Sequence, residues 1–264
     1  MVKPISICLK SALRMLTGVG FGISGILFIL TSVQVTRAQG GPPMITDDTE
    51  TVAKGHFEVN TAVTFERAAD GDVFGTPLLD LNYGLGEHLQ LKLEIPWVVL
   101  HNYGQRTLGG LGNTNIGMRW RFRDETDHHR VALSIYPQLE FNNPGPSVRR
   151  GLVERGPEFL FPLQWQIKIG KYGINGDIGY RFKRGADELI YGVLLGREFK
   201  HFELLGEIHG TGPRTALNQS EVVYNFGSRV PLTKHTTLLL SAGRSIRSHF
   251  DPRFIGYIGI QATF

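Results

Sequence analysis

The feature that most limits the fold is an alternation of apolar and polar residues, held for about ten positions at a time and repeated along the chain. His88–Trp97 sets Leu89, Leu91, Leu93, Ile95 and Trp97 against His88, Gln90, Lys92, Glu94 and Pro96. His56–Arg67 sets Phe57, Val59, Thr61, Val63 and Phe65 against Glu58, Asn60, Ala62, Thr64 and Glu66. Side chains alternate across a strand with period two, so each segment reads as a strand with one apolar and one polar face. Thr76–Tyr83, Asn115–Phe122, Arg130–Phe141, Glu158–Ile169, Tyr172–Phe182, Glu188–Glu198, His201–His209, Glu221–Arg229, Thr236–Arg244 and Phe254–Phe264 follow the scheme, Glu188–Glu198 weakly. The count is about twelve strands, an even number. A chain of 264 residues with 33 Gly and 10% aromatics suits many short strands in one all-β domain.

A soluble sandwich also alternates, so three further features decide. Full charges sit in mid-strand on the polar face, which suits a polar lumen with the apolar set turned to lipid. Connections alternate in length. Gly84–Glu87, Gly170-Lys171, Phe199-Lys200 and Val230–Lys234 are short; Ala68–Gly75, Leu100–Gly112, Asn142–Pro157, Gly210–Ser220 and Ser245–Arg253 are longer. Short periplasmic turns and longer outer loops produce that asymmetry. Asp124–His129 is long for the pattern and Arg184–Asp187 short. The last strand ends in Phe264, as bacterial outer-membrane barrels commonly do, and Tyr83, Trp97, Phe122, Phe141, Phe182 and Phe226 fall near strand ends as an interfacial girdle would. The expected fold is an all-β, membrane-spanning antiparallel barrel, preceded by a cleavable signal helix.

Lys3, Lys10 and Arg14 precede an apolar stretch from Met15 to Val33, and Thr36-Arg37-Ala38 offers a cleavage site after Ala38. The expected division is a signal at 1–38, a periplasmic segment at 39–54 and the barrel at 55–264. A retained membrane anchor is the rival reading of the first segment. No other segment is apolar and long enough for a membrane helix, so a membrane location requires a closed barrel. Without residues 1–38 the chain carries 24 Lys and Arg against 24 Asp and Glu, so the formal charge of +4 is no argument for a nucleic-acid partner. The one cysteine, Cys8, falls in the signal, which leaves no disulfide or thiolate metal site in the mature chain.

Pro42–Asp48, Gly55–Asn60, Leu78–Leu85, Leu89–Pro96, Gly110–Asn113 running to Arg119–Phe122, and Tyr136–Glu140 resemble the outer-membrane family named for the meta-pathway of phenol degradation (MetA-type). The resemblance covers most of the mature chain. It implies a barrel that passes small hydrophobic or aromatic solutes, and no catalytic residue. It also suggests that residues 39–54 fold into or under the barrel mouth.

Ten charged residues are expected to face the lumen: Lys92, Glu94, Arg119, Arg121, Glu140, Lys168, Asp177, Arg181, Glu203 and Glu207. They make either a permeation path or a set of bracing ion pairs, and the bracing role is the default for each alone. His201, Glu203, Glu207 and His209 share a strand face, but i and i+2 lie about 7 Å apart, so a metal would need ligands from other strands. His128-His129 reads as a solvated turn. The acidic run Asp47-Asp48-Thr49-Glu50 lacks the ligand spacing of a calcium loop and reads as solvated. No cofactor or metal is expected. Ser134 with His209 is a nucleophile–base pair that spacing alone cannot assemble, and no G-x-S-x-G is present, so no enzyme is expected. Leu108–Asn113 is Gly-rich without a phosphate-loop lysine and reads as a loop. The expected partners are outer-membrane lipid, a small hydrophobic solute, and the barrel-assembly machinery reading the strand that ends in Phe264. A structural envelope barrel without transport, and a lipid-acting enzyme, are the alternatives.

Overall fold

Fourteen strand segments occupy twelve positions of one closed antiparallel barrel in the computed structural model, which describes residues 41–126, 128, 130–185, 187–247 and 252–264. The proposed signal and its cleavage site lie outside the described residues. The segments are β1 (Phe57–Arg67), β2 (Gly71–Gly84), β3 (Leu89–Asn102), β4 (Leu108–Leu111), β5 (Thr114–Arg123), β6 (Ala132–Ile135), β7 (Gln138–Phe141), β8 (Glu158–Ile169), β9 (Tyr172–Phe182), β10 (Glu188–Glu198), β11 (Glu203–Pro213), β12 (Glu221–Pro231), β13 (Thr236–Ser245) and β14 (Phe254–Thr263). Each pairs with its chain neighbour, and β1 pairs with β14 from Glu58↔Thr263 to Arg67↔Phe254 to close the ring. Closure removes both sheet edges, the condition for crossing a bilayer with strands.

Two wall positions are broken. β4 pairs with the upper part of β3 and β5 with its lower part, so the two share one position interrupted at Gly112-Asn113. β6 and β7 share another, both lying between β5 and β8, interrupted at Tyr136-Pro137. Pro137 has no N–H to give the ladder, which explains that break.

The alternation sorts the side chains as expected. Leu91, Leu93, Ile116, Met118, Trp120, Phe161, Leu163, Ile178, Val193, Leu195, Ile208 and Ile258 are exposed on the outside. Asn60, Asp80, Gln90, Gln164, Gln166, Asn175 and Asn225, the alternate residues on their strands, are buried inside. A continuous apolar outer face around a polar interior is stable in lipid and not in water. Strands of 10–14 residues for most positions match or exceed the 9–11 needed to cross the hydrocarbon.

Two connections are shorter than expected because strands continue into them. β2 begins at Gly71, which leaves only Ala68–Asp70 of the expected Ala68–Gly75 loop. β3 runs to Asn102 and β4 starts at Leu108, so the expected Leu100–Gly112 loop is mostly hairpin. The Gly-rich Leu108–Asn113 is accordingly strand β4 with a break, not a loop. Phe226, expected near a strand end, lies mid-strand on β12 opposite Gly206.

Candidate functional site: the plugged lumen

Residues 41–54 lie inside the barrel. Thr46 and Thr49 have no exposed surface and Asp48 is 3% exposed. The acidic run that reads as solvated is therefore buried, a correction with a clear cause: the lumen wall supplies its partners. The segment opens with a small loop in which Gly41 N–H donates to Thr46 O (2.9 Å) and Met44 N–H to Gly41 O (2.9 Å). It leaves along the end where the connections are short, with Lys54 bridged to Gly84. We call it the plug.

One side of the plug faces cations. Arg119 on β5 reaches Asp47 (2.6 Å) and Asp48 (3.3 Å), and donates to Glu50 O (2.8 Å). Arg121 on β5 and Lys168 on β8 take the two Glu50 oxygens at 2.9 and 2.5 Å. The Arg119 guanidinium also stacks on Tyr136, 4.2 Å from the ring centroid. Charged hydrogen bonds of this kind are the stronger class, and several sharing one segment hold it in one register.

The other side faces carboxylates. Glu207 on β11 accepts from the Ile45 N–H (2.9 Å) and the Thr46 N–H (2.7 Å), and from Asn225 Nδ2 (2.9 Å). Asp177 on β9 accepts a longer bond from the Asp47 N–H (3.4 Å). Arg229 on β12 pairs with Glu203 (3.3 Å) and donates to Gly41 O and Pro42 O. Ser241 donates to Pro43 O (2.8 Å), Thr49 Oγ1 to Gln166 (2.8 Å) and Val52 N–H to Gln90 (2.9 Å). Met44 packs with Leu194 and Leu205, two apolar residues on the inner face.

The wall is carved to admit this segment. A Cβ on Gly192 would lie 2.3 Å from Thr46 Oγ1, and one on Gly84 would lie 2.2 Å from Ala53 O. Only glycine leaves room for such close approach. Removal from water pushes the Asp48 carboxyl up to about 7, with Arg119 pulling the other way and Glu50 and Asp47 adding to the rise.

The ten expected lumen residues fall into groups. Arg119, Arg121, Lys168, Asp177 and Glu207 touch the plug, and Glu203 reaches it through Arg229. Lys92 bonds to Glu94 (2.7 Å) and Asp80 (3.8 Å) beside it. Glu140 and Arg181 stand apart, Glu140 accepting from Asn113 (2.8 Å) and Arg181 near Glu158 and Glu188. Sequence reading missed Asp47, Asp48 and Glu50 as lumen groups, and it missed Arg229, Asp80 and Tyr136. Arg119, Arg121 and Lys168, three cations gathered on two nearby strands, were the available signal.

His201 is exposed in the turn before β11, outside the strand that carries Glu203, Glu207 and His209. Among the described residues no three His, Cys, Asp or Glu side chains gather to hold a metal. Ser134 donates to Gln164 (2.7 Å), not to His209.

Fold and site together define a class: a closed twelve-stranded barrel of outer-membrane type, with its lumen filled by its own N-terminal segment. Solved structures agree on the fold. The chain is similar to the COG4313 outer membrane channel from Pseudomonas putida F1, at 13% identity and a TM-score of 0.63 over 86% of this chain and all of that one. It is similar to the NanC porin (6% identity, TM-score 0.56, 78% of this chain and 98% of that one). It is also similar to the KdgM porin (12%, 0.54, 78% and 99%). No protein-family model and no curated protein matches the sequence. The similar structures are channels and porins, and none of these names carries the phenol-pathway label of the resemblance.

Proposed function

We infer that the protein is a bacterial outer-membrane channel for small solutes whose lumen its own residues 41–54 close. The observation that carries this is the plug's attachment by charged side chains to several strands around the ring, with polar residues making up most of the buried lining. A wall that only needed bracing would pair its charges with one another. Here, among the described residues, Arg119 and Lys168 have no acidic partner on the wall, and Arg121 has only Asp124 (2.8 Å). The described channel neighbours support the same reading, as does the apolar outer face. With the short-turn end in the periplasm, strand β14 and the Phe264 that follows it face the assembly machinery there.

The family resemblance narrows the solute to small hydrophobic or aromatic compounds. A cavity of about 250 Å³ beside the plug, room for a single ring, supports that narrower reading. It is lined by Pro43, Met44, Val73, Ile255 and Tyr257 among others, a mixed surface against which a ring could lie.

The test is ion conductance of the full mature protein in planar bilayers, on material that shifts mobility on unheated gels. Discrete current steps support the channel. A folded barrel that never conducts favours the second reading, a structural envelope barrel, which the plug's tight seating makes specific.

A further inference from the structure

The charges that hold the plug are arranged as two strips on adjoining parts of the wall, which meet at the paired strands β8 and β9. Asp177 and Glu207, both buried, have no cationic ion-pair partner on the wall among the described residues. One Asp177 oxygen has no hydrogen-bond partner at all. On β5 and β8, Arg119, Arg121 and Lys168 face the plug, and among the described residues the wall offers them only Asp124 as an ion-pair partner. Between the strips runs a peptide that answers both. Its amide N–H groups at Ile45, Thr46 and Asp47 point to the carboxylates. Its carboxylates at Asp47, Asp48 and Glu50 point to the cations. Residues 45 to 50 span at most about 18 Å even if fully extended, so the whole site is on the scale of a few residues.

Buried charges without a wall partner are costly unless something compensates them. The plug compensates them in this conformation. When it leaves, the lumen keeps a negative strip on β9 and β11 and a positive strip on β5 and β8, in a narrow passage of low dielectric that focuses the field. The solute that fits both strips carries a donor or ammonium at one end and carboxylate at the other. We propose that the opened lumen is selective for dipolar solutes of the amino-acid and short acidic-peptide class, and that the plug is a built-in occupant of their binding site. The proposal rests on the channel reading above but not on the aromatic solute.

The experiment uses the full-length chain with D47N and E50Q together, which loosens the plug and leaves every wall residue in place. Folding is checked by heat-modifiable mobility. Proteoliposome swelling then compares glutamate, which has both charges, with glutarate, which lacks the ammonium, and with arabinose, a neutral solute of similar size. Glutamate enters several-fold faster than either. Adding D177N and E207Q removes its advantage over glutarate. Adding R119Q, R121Q and K168Q instead removes its advantage over arabinose. Equal entry of the three solutes through a conducting, folded variant overturns the dipolar site and leaves the channel standing. A folded variant that admits no solute and carries no current overturns the channel reading and this inference with it.

Discussion

Arg119 on β5 and Asp47 in the plug lie 2.6 Å apart although 72 positions separate them in the chain. The same guanidinium reaches Asp48 and the Glu50 carbonyl, so one side chain fixes three plug residues. Much of the plug's position follows from this contact.

Replacing Arg119 with Ala should free the plug and leave the barrel closed. Removing one partner of a buried charged pair strands the other, at a cost of about 3 kcal/mol. That is roughly a hundredfold in the ratio of plugged to open lumen. Protease cleavage near Asp47, measured on detergent-purified protein, should become rapid in R119A and stay slow in the parent.

Gly192 provides a test independent of charge. A valine there would press its Cβ to within 2.3 Å of Thr46 Oγ1 and 2.8 Å of an Asp177 oxygen. The plug is the movable partner, so G192V should expel it at a docking cost of about 1–3 kcal/mol. The readout is a rise in open-channel current with unchanged gel mobility of the folded barrel.

Asp48 gives the plug a pH dependence with a definite sign. Its carboxyl has a docked value of about 7, above its ordinary 3.8. A raised carboxylate means the docked state binds the proton more tightly, so docking takes up a proton between these values. The contribution is full below about 4 and is lost as pH rises through about 7. The groups around it are Asp47, Glu50, Arg119 and Arg229. Channel opening should therefore be more frequent at pH 8 than at pH 5, and D48N should flatten the difference.

The outer face predicts a membrane-specific penalty. Ile208 sits at the middle of β11, exposed on the apolar side between Val193 and Tyr224. An arginine at that depth costs about 2–4 kcal/mol in a barrel facing lipid. Urea unfolding of I208R in lipid vesicles should show a loss of that size, whereas a change near zero would mean that this face meets water.

The wall was legible in the sequence because period two is a local signal: His88–Trp97 and Tyr172–Phe182 carry their inner and outer faces in their own residue order. Glu188–Glu198, weak in the pattern, still forms β10, because its Gly192 and Gly196 are inner-face positions without a side chain to read. The plug was not legible from its own residues. Asp47-Asp48-Thr49-Glu50 has no periodicity, and its partners lie on strands dozens to well over a hundred positions away. Burial there depends on the ring having closed around it, and no local pattern encodes that. The break at Pro137 was visible as a residue but not as an interruption, since the alternation runs straight through it from Val131 to Phe141, and the break at Gly112 fell at the end of what reads as a loop.

The most direct test of the account is single-channel current from the mature protein and from a variant lacking residues 41–52, in the same bilayer and salt. The variant keeps Lys54 and its bridge to Gly84, and the whole barrel from Phe57. The account predicts small or brief currents from the parent and large, sustained currents from the variant. Equal currents from the two would contradict it.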